Sequence, residues 1–268
     1  MAQLKILFFG DIFGKRGLQT LEATLPKLRE QYQPDFIIAQ GENVSGRKGL
    51  TYNDYLKLKS LGVNVITMGN HVWAKDDIAT FINNSNIIRP LNVEDIYPGV
   101  GAKVFEVNKQ KLLVISLMGI SFNPLLSPWK QDVANNFFDA FDYVIQKYEH
   151  DFVFVDFHGE TTSEKNVFGL YADGTADAIC GTHTHVQTSD GRTLPKGTLF
   201  ITDVGMTGPQ DCAIGASYEP VYNKMRFNTK QRFEVSDNPT QLNAVLLILN
   251  TNKQDNQIIT INQRDVLA

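Results

Sequence analysis

The chain is poor in the residues that cross-link, anchor or electrostatically blanket a fold. It has 2 cysteines in 268 residues, Cys180 and Cys212, too few for a disulfide framework and consistent with a reducing compartment. No apolar run approaches the roughly 18 consecutive residues of a membrane-spanning helix, and the apolar start meets Asp11 where a secretion signal would continue. A cytoplasmic protein with no membrane partner is expected. Long Lys/Arg runs are missing, and 25 Lys+Arg against 29 Asp+Glu give a formal charge of −4. That argues against holding nucleic acid mainly by bulk charge and leaves only a local basic groove open. Gly99-Val100-Gly101 does not continue to the third glycine of a dinucleotide fingerprint. Gly14-Lys15-Arg16 lacks the Ser/Thr of a phosphate-binding P-loop, and no G-x-S-x-G elbow occurs.

What is present is ordinary globular material, 43% hydrophobic and 20% charged, enough for one domain spanning 1–268. Short runs rich in Val, Ile and Phe at 4–9, 36–39, 63–68, 112–118, 152–157, 176–180 and 199–201 predict buried strands. Leu18, Leu21, Leu25 and Leu28 recur at helical spacing, as do Phe137, Phe138, Phe141, Val144, Ile145 and Tyr148. After Pro195 the helical signal fades, and 242–249 with 258–261 predicts a closing strand pair. The fold class expected is α/β with a β-rich C-terminal part.

The polar residues fall at strand ends, where open α/β sheets bind ligands. They read Gly10-Asp11, Gly41-Glu42-Asn43, Gly69-Asn70-His71, His158-Gly159-Glu160 and Gly181-Thr182-His183-Thr184-His185. The chain has 5 histidines, and all but His150 sit in these segments. Taken singly, each residue is more readily a turn former, a helix cap or a hydrogen-bonded histidine. Taken together they are not, because a purely structural account has no reason to gather nitrogen and oxygen donors at the same kind of position. Asp11, Glu42, Asn43, Asn70, His158, His183 and His185 are too many donors for one tetrahedral site, so two metal ions fit the count. Glu42 is the natural bridging carboxylate. An extended His183-Thr184-His185 segment would send both imidazoles to one side. Glu160 has the weaker case and reads as a group acting through a ligand. Two divalent ions outweigh two carboxylates, so an anionic substrate is expected.

In this order the motifs resemble those of the calcineurin-like metallophosphoesterases, and more closely the bacterial YmdB-type branch, through GDIFG, QGENVSG, ITMGNHVW, RPLN, DFHGETTSEK, GTHTHVQT, LPKGT and ITDVGMTGP. Two positions depart from the wider superfamily pattern: Phe13 stands where a histidine is usual and Glu42 where an aspartate is usual, with Asn43 the candidate to replace the missing imidazole. The resemblance implies a four-layer α/β/β/α sandwich. It also implies one ion on Asp11, Glu42, Asn43 and His185, a second on Glu42, Asn70, His158 and His183, and His71 as the catalytic general acid. It favours iron or manganese, and mixed imidazole and carboxylate donors also suit zinc or cobalt. The activity implied is hydrolysis of a small phosphodiester, with 2′,3′-cyclic nucleotides favoured over 3′,5′. Two alternatives stand beside it. One is a nuclease on RNA or DNA using Arg47, Lys48, Arg192 and Lys196. The other is a regulatory protein that senses a nucleotide or docks a ribonuclease or another RNA-metabolism partner. Homo-oligomerisation stays open, since exposed faces are not legible in sequence.

Overall fold

Strands form where branched and aromatic residues run without polar interruption, because a strand covered on both faces needs no alternation. The structure, a computed structural model, describes residues 3–268. In chain order its strands are β1 (Gln3–Phe9), β2 (Asp11–Ile12), β3 (Phe36–Gln40), β4 (Val65–Thr67), β5 (Ile87–Ile88), β6 (Ala102–Val107), β7 (Gln110–Met118), β8 (Phe152–His158), β9 (Ala178–Thr182), β10 (Arg192–Thr193), β11 (Leu199–Ile201), β12 (Met206–Pro209), β13 (Thr240–Asn250) and β14 (Gln257–Gln263). The helices are α1 (Gly14–Tyr32), α2 (Tyr52–Ser60), α3 (Ile78–Phe81), α4 (Phe137–Lys147), α5 (Thr162–Tyr171) and α6 (Tyr218–Phe227).

Two sheets result. The eight-stranded sheet runs β2-β12-β13-β1-β3-β4-β5 with β14 also on β13, and the six-stranded sheet runs β10-β11-β9-β8-β7-β6. Their facing sides make one apolar core in which Leu4, Ile6, Phe8 and Ile38 meet Val114, Phe154 and Cys180. The Phe8 and Phe154 rings cross edge-on at 5.0 Å, a contact worth about 1 kcal/mol beyond its buried area. Leu18, Leu21, Leu25 and Leu28 of α1 seal the outer face of the first sheet. Phe137, Phe141 and Val144 of α4, with Phe168 of α5, seal the second. This is the four-layer α/β/β/α sandwich, with Cys180 buried as a thiol in its middle.

Within the first sheet β1, β3, β4 and β5 are mutually parallel. Within the second, β7, β8, β9 and β11 are parallel. The segments leaving β1, β3, β4, β8 and β9 therefore collect at one seam between the sheets. The closing strands appear as the antiparallel pair β13 and β14.

Two expectations fail. Helix α6 lies in the region where the helical signal fades. Tyr218, Val221, Tyr222 and Met225 do recur at helical spacing, but none of its residues is buried, and Val221 and Met225 line a cavity instead of a packed core. The His183-Thr184-His185 segment is not extended: His183 has φ 104° and His185 φ 66°. Strand geometry stops at Thr182, because the backbone there is diverted to other partners.

Candidate metal centre

The donors that the sequence scatters over 175 positions converge at the seam, each placed by the end of a strand. Around His158 Nε2 lie three further donor atoms: His183 Nδ1 at 3.0 Å, Asn70 Oδ1 at 3.1 Å and Glu42 Oε1 at 3.2 Å. One proton on Nε2 can serve only one or two of these acceptors. Atoms bound to a single ion at about 2.1 Å stand roughly 3.0–3.4 Å apart, so the spacing is that of a ligand set. The ligand atoms of Glu42, His158 and His183 lie within 4.8 Å of one another. Beside this set is another. Asn43 Nδ2 is 3.2 Å from His185 Nε2, 3.3 Å from Asp11 Oδ1 and 3.5 Å from Glu42 Oε1. Glu42 is thus common to both groups, and all seven residues singled out in the sequence come together.

Each imidazole has its outer nitrogen tied, which fixes the inner one as the free donor. His185 Nδ1–H donates to the Ile214 carbonyl at 2.9 Å, leaving Nε2 toward Asp11. His183 Nε2 is 3.1 Å from Glu160 Oε2, leaving Nδ1 inward. The Thr182 hydroxyl donates to Asp156 Oδ1 at 2.7 Å and lies 2.9 Å from His158 Nδ1, which Gln40 Nε2 also approaches, at 3.1 Å. Phe13 does not ligate. Its ring meets His185 edge-on at 5.4 Å and braces it.

The carboxylates are held by backbone N–H groups. Glu42 Oε2 accepts from His71 N at 3.0 Å, and Asp11 Oδ2 accepts from His183 N at 3.1 Å. Burial works to raise the Glu42 pKa, but His158 and His71 outweigh it and hold the group well below the carboxylate range. Burial likewise opposes ionisation of Asp11, and His185 overcomes it. Burial disfavours a charge on His158, yet Glu42 and Asp11 lift its pKa to about 9. His183 goes the other way, taken down to about 3 by burial and then by the positive charge of His158. Beneath them burial lifts Asp156 to about 7. Charge-bearing groups in one dry pocket are thereby forced into unequal states, the pattern expected where function rather than packing selects the residues.

Sequence reasoning missed the support of the His-Thr-His turn. Lys165 and Asp203 form a fully buried ion pair at 2.9 Å. Lys165 Nζ also donates to Thr182 O at 2.8 Å, while Asp203 Oδ2 accepts from Thr184 N at 3.0 Å. Both sides of His183 are thus pinned by one pair, which is what diverts the backbone from strand geometry. The available signal was a lysine facing the sheet from α5 and an aspartate closing the apolar run of β11. Helix α5 is set in register by Thr161, which caps it and bonds Glu164 at 2.8 Å.

His71 stands at the mouth. Its Nδ1 is 2.9 Å from Glu42 Oε1 and 3.0 Å from Asn43 Oδ1, leaving Nε2 available to the cavity. That cavity, of about 580 Å³, runs outward from His71, His183 and His185 to Ile214, Val221, Met225 and Phe233. Polar chemistry lies at its floor and apolar surface at its walls, the usual build of a small-molecule site. Arg47 and Lys48 line it; Arg192 pairs with Asp190 and is not among its walls.

No helix among the described residues is long and apolar enough to cross a membrane. Residues 7–262 match the family model of YmdB-like protein. A Bacillus subtilis (strain 168) relative named 2′,3′-cyclic-nucleotide 2′-phosphodiesterase is 42% identical over 246 residues, 91% of this chain and 90% of the relative. A crystal structure from Mycoplasma pneumoniae, described as a novel phosphatase, superposes with TM-score 0.92 at 40% identity, covering 99% of this chain and 95% of the other. A Thermus thermophilus structure of a hypothetical protein gives TM-score 0.89 at 34% identity, over 98% of this chain and all of the other. The chain belongs to the YmdB-like family and is a phosphoesterase.

Proposed function

We propose that the chain is a dinuclear-metal phosphodiesterase that opens nucleoside 2′,3′-cyclic phosphates. Asp11, Glu42, Asn43 and His185 would hold one ion, and Glu42, Asn70, His158 and His183 the other. The observation that carries this reading is the ring of three donor atoms around His158 Nε2, more than a single N–H serves and spaced as atoms sharing one cation would be. The name of the Bacillus relative supports the substrate class. An ion on the first set would call for the oxygen end of the Asn43 amide, which would release that oxygen from His71 Nδ1. Iron and manganese suit these ligands, as do zinc and cobalt.

Ions so held supply positive charge that polarises the phosphoryl oxygens and acidifies the attacking water. The remaining work falls to side chains. Glu42 and Asp11 stay ionised at neutral pH and keep the floor of the cavity anchored. His71, tied at Nδ1 by Glu42, presents Nε2 and gives its proton to the departing ribose oxygen. Water supplies the new P–O bond, the P–O2′ bond breaks, and a nucleoside 3′-phosphate leaves. The apolar walls at Val221, Met225 and Phe233 face the nucleoside and thin the water around the reaction.

The test is hydrolysis of adenosine 2′,3′-cyclic phosphate by protein purified with manganese or iron, with Glu42→Gln as the blank. The expected product is 3′-AMP with about two equivalents of metal per chain, both reduced in the variant. Turnover in metal-stripped protein, or undiminished turnover in Glu42→Gln, would overturn the reading.

A further inference from the structure

A second cavity, of about 510 Å³, adjoins the cavity over the metal centre at Arg47, Lys48 and Phe233. It is lined by Arg47, Lys48, Lys75, Arg232, Phe233 and Glu234, among others. Four cations here face one carboxylate. Among the described residues none of the four pairs with a carboxylate, and the Arg47 guanidinium lies instead over the Phe233 ring, 5.3 Å from its centre. Burial and then the like charge of Arg232 lower the Arg47 pKa. Like charges collected without counter-ions repel one another, and a bound anion relieves that repulsion.

The loop that carries Arg47 and Lys48 is built to hold them there. Ser45 N donates to Gly49 O at 3.0 Å, and Gly49 N donates back to the Glu42 carbonyl, so the loop starts and closes on a residue of the metal centre. Gly46 and Gly49 have φ 87° and 81°, a conformation that L residues rarely adopt. A Cβ on Gly49 would stand 2.7 Å from Lys75 Cγ, so glycine also lets Lys75 close against the loop.

We propose that this second cavity is a subsite for a further phosphate of the substrate, so that the enzyme prefers cyclic phosphates at the 3′ ends of oligoribonucleotides to free mononucleotides. The subsite rests on the phosphodiesterase reading for its neighbour: a cyclic phosphate over the metal centre sends the rest of its nucleotide outward along the wall the cavities share. Guanidinium and ammonium groups are the side chains that take phosphate oxygens. The second phosphate has two chemical sources, a 5′-terminal monophosphate or the internucleotide diester.

The experiment compares kcat/KM for adenosine 2′,3′-cyclic phosphate, its 5′-phosphorylated form and the dinucleotide ApA ending in 2′,3′-cyclic phosphate. Each is run with the wild type and with Lys75→Gln/Arg232→Gln. The wild type is expected to favour the dinucleotide about tenfold over the mononucleotide, through KM, since one charge-assisted contact carries about that much. Added salt should erode the preference. A like gain for the 5′-phosphorylated mononucleotide would mean that any second phosphate suffices, and no gain there would assign the subsite to the diester. In the double variant the ratio should fall toward one, and Arg232→Lys should keep most of it. Equal kcat/KM for all three in the wild type, or a preference untouched by the double variant, would overturn the proposal. Calorimetric binding of the dinucleotide ApA ending in a 3′-phosphate, and of adenosine 3′,5′-bisphosphate, each against 3′-AMP, reads the subsite for either source without turnover. If no cyclic phosphate is hydrolysed, the phosphodiesterase reading fails while these binding ratios still decide the subsite.

Discussion

The eight-stranded sheet brings only side chains with oxygen donors to the candidate centre, Asp11, Glu42, Asn43 and Asn70, whereas the six-stranded sheet brings only imidazoles, His158, His183 and His185. The two halves are also held differently. The carboxylates of the first are fixed by backbone N–H groups, which keep their geometry at any pH. The imidazoles of the second depend on a layer of side chains and one carbonyl, namely Thr182 with Asp156, Glu160, Ile214 and the Lys165–Asp203 pair. The oxygen half therefore sets the charge of the site, and the nitrogen half sets its sensitivity to protons and to distant substitutions.

The sharpest way to break this contrast is to remove charge from the oxygen half while keeping shape. Glu42→Gln should lower turnover about 10³-fold, the several kcal/mol that metal-borne charge stabilisation supplies, with loss of bound metal. Steady-state kinetics with elemental analysis checks both. His71→Ala leaves all seven candidate ligands in place. It should retain its metal and lose about 10²- to 10⁴-fold in kcat on a substrate with a poor leaving group, far less with a good one.

On the nitrogen half the corresponding experiment is made one layer back. Lys165→Met strands Asp203 as a buried unpaired charge, costing about 3–5 kcal/mol of stability, and frees the His183 turn, costing about 10- to 100-fold in metal affinity. Adding Asp203→Leu separates the two effects. Stability measured by denaturant should recover in part, because an apolar pair replaces the ion pair while Thr184 N and Gly205 N lose their acceptor, and metal affinity should not. Recovery of both would mean that the pair serves packing alone.

Protonation distinguishes the halves more gently. With His158 holding its proton up to about 9, an ion held there at neutral pH must displace that proton. At His185, where burial opposes a charge but Asp11 raises the pKa, a second ion competes with a proton as well. Apparent affinity should therefore climb at least about tenfold per pH unit at neutral pH. Potentiometric proton release on addition of manganese measures this directly. The sign for stability is opposite. A raised histidine pKa stabilises the metal-free fold fully below 6.5, and that contribution disappears as pH rises through about 9. His183, lowered to about 3, costs the fold stability as pH falls below 6.5.

How much of this is readable beforehand follows the same division. Strands β1, β3, β7 and β8 are plain in the sequence because double-sided burial demands uninterrupted apolar residues, and every ligand is legible because it sits next to such a run. Helix α6 escapes notice although Tyr218, Val221, Tyr222 and Met225 recur at helical spacing, since that stripe is short, straddles Pro220 and buries nothing. The turn at His183 and His185 reads as strand in the sequence because its true conformation is dictated by Asp203 and Lys165, neither of which is local to it. Phe13 is identifiable as a missing ligand, but its service as a brace for His185 depends on a contact 172 residues away in sequence.

Glu160 gives the smallest effect and the finest test of the boundary between ligand and support. Its side chain is 51% exposed, and it reaches the centre only through His183 Nε2. A solvent-screened pair of this kind is worth at most about 1 kcal/mol. Glu160→Gln keeps a carbonyl oxygen to accept from His183 Nε2–H and should change metal affinity less than about threefold. Glu160→Ala leaves water to take that place and should cost about tenfold at most, the lower end of what orienting partners contribute. Competition with a chelator of known affinity resolves differences of this size. A loss of about 100-fold or more in Glu160→Gln, the upper end for an orienting partner, would place Glu160 among the ligands, and the six-stranded sheet would then carry a charge of its own into the centre.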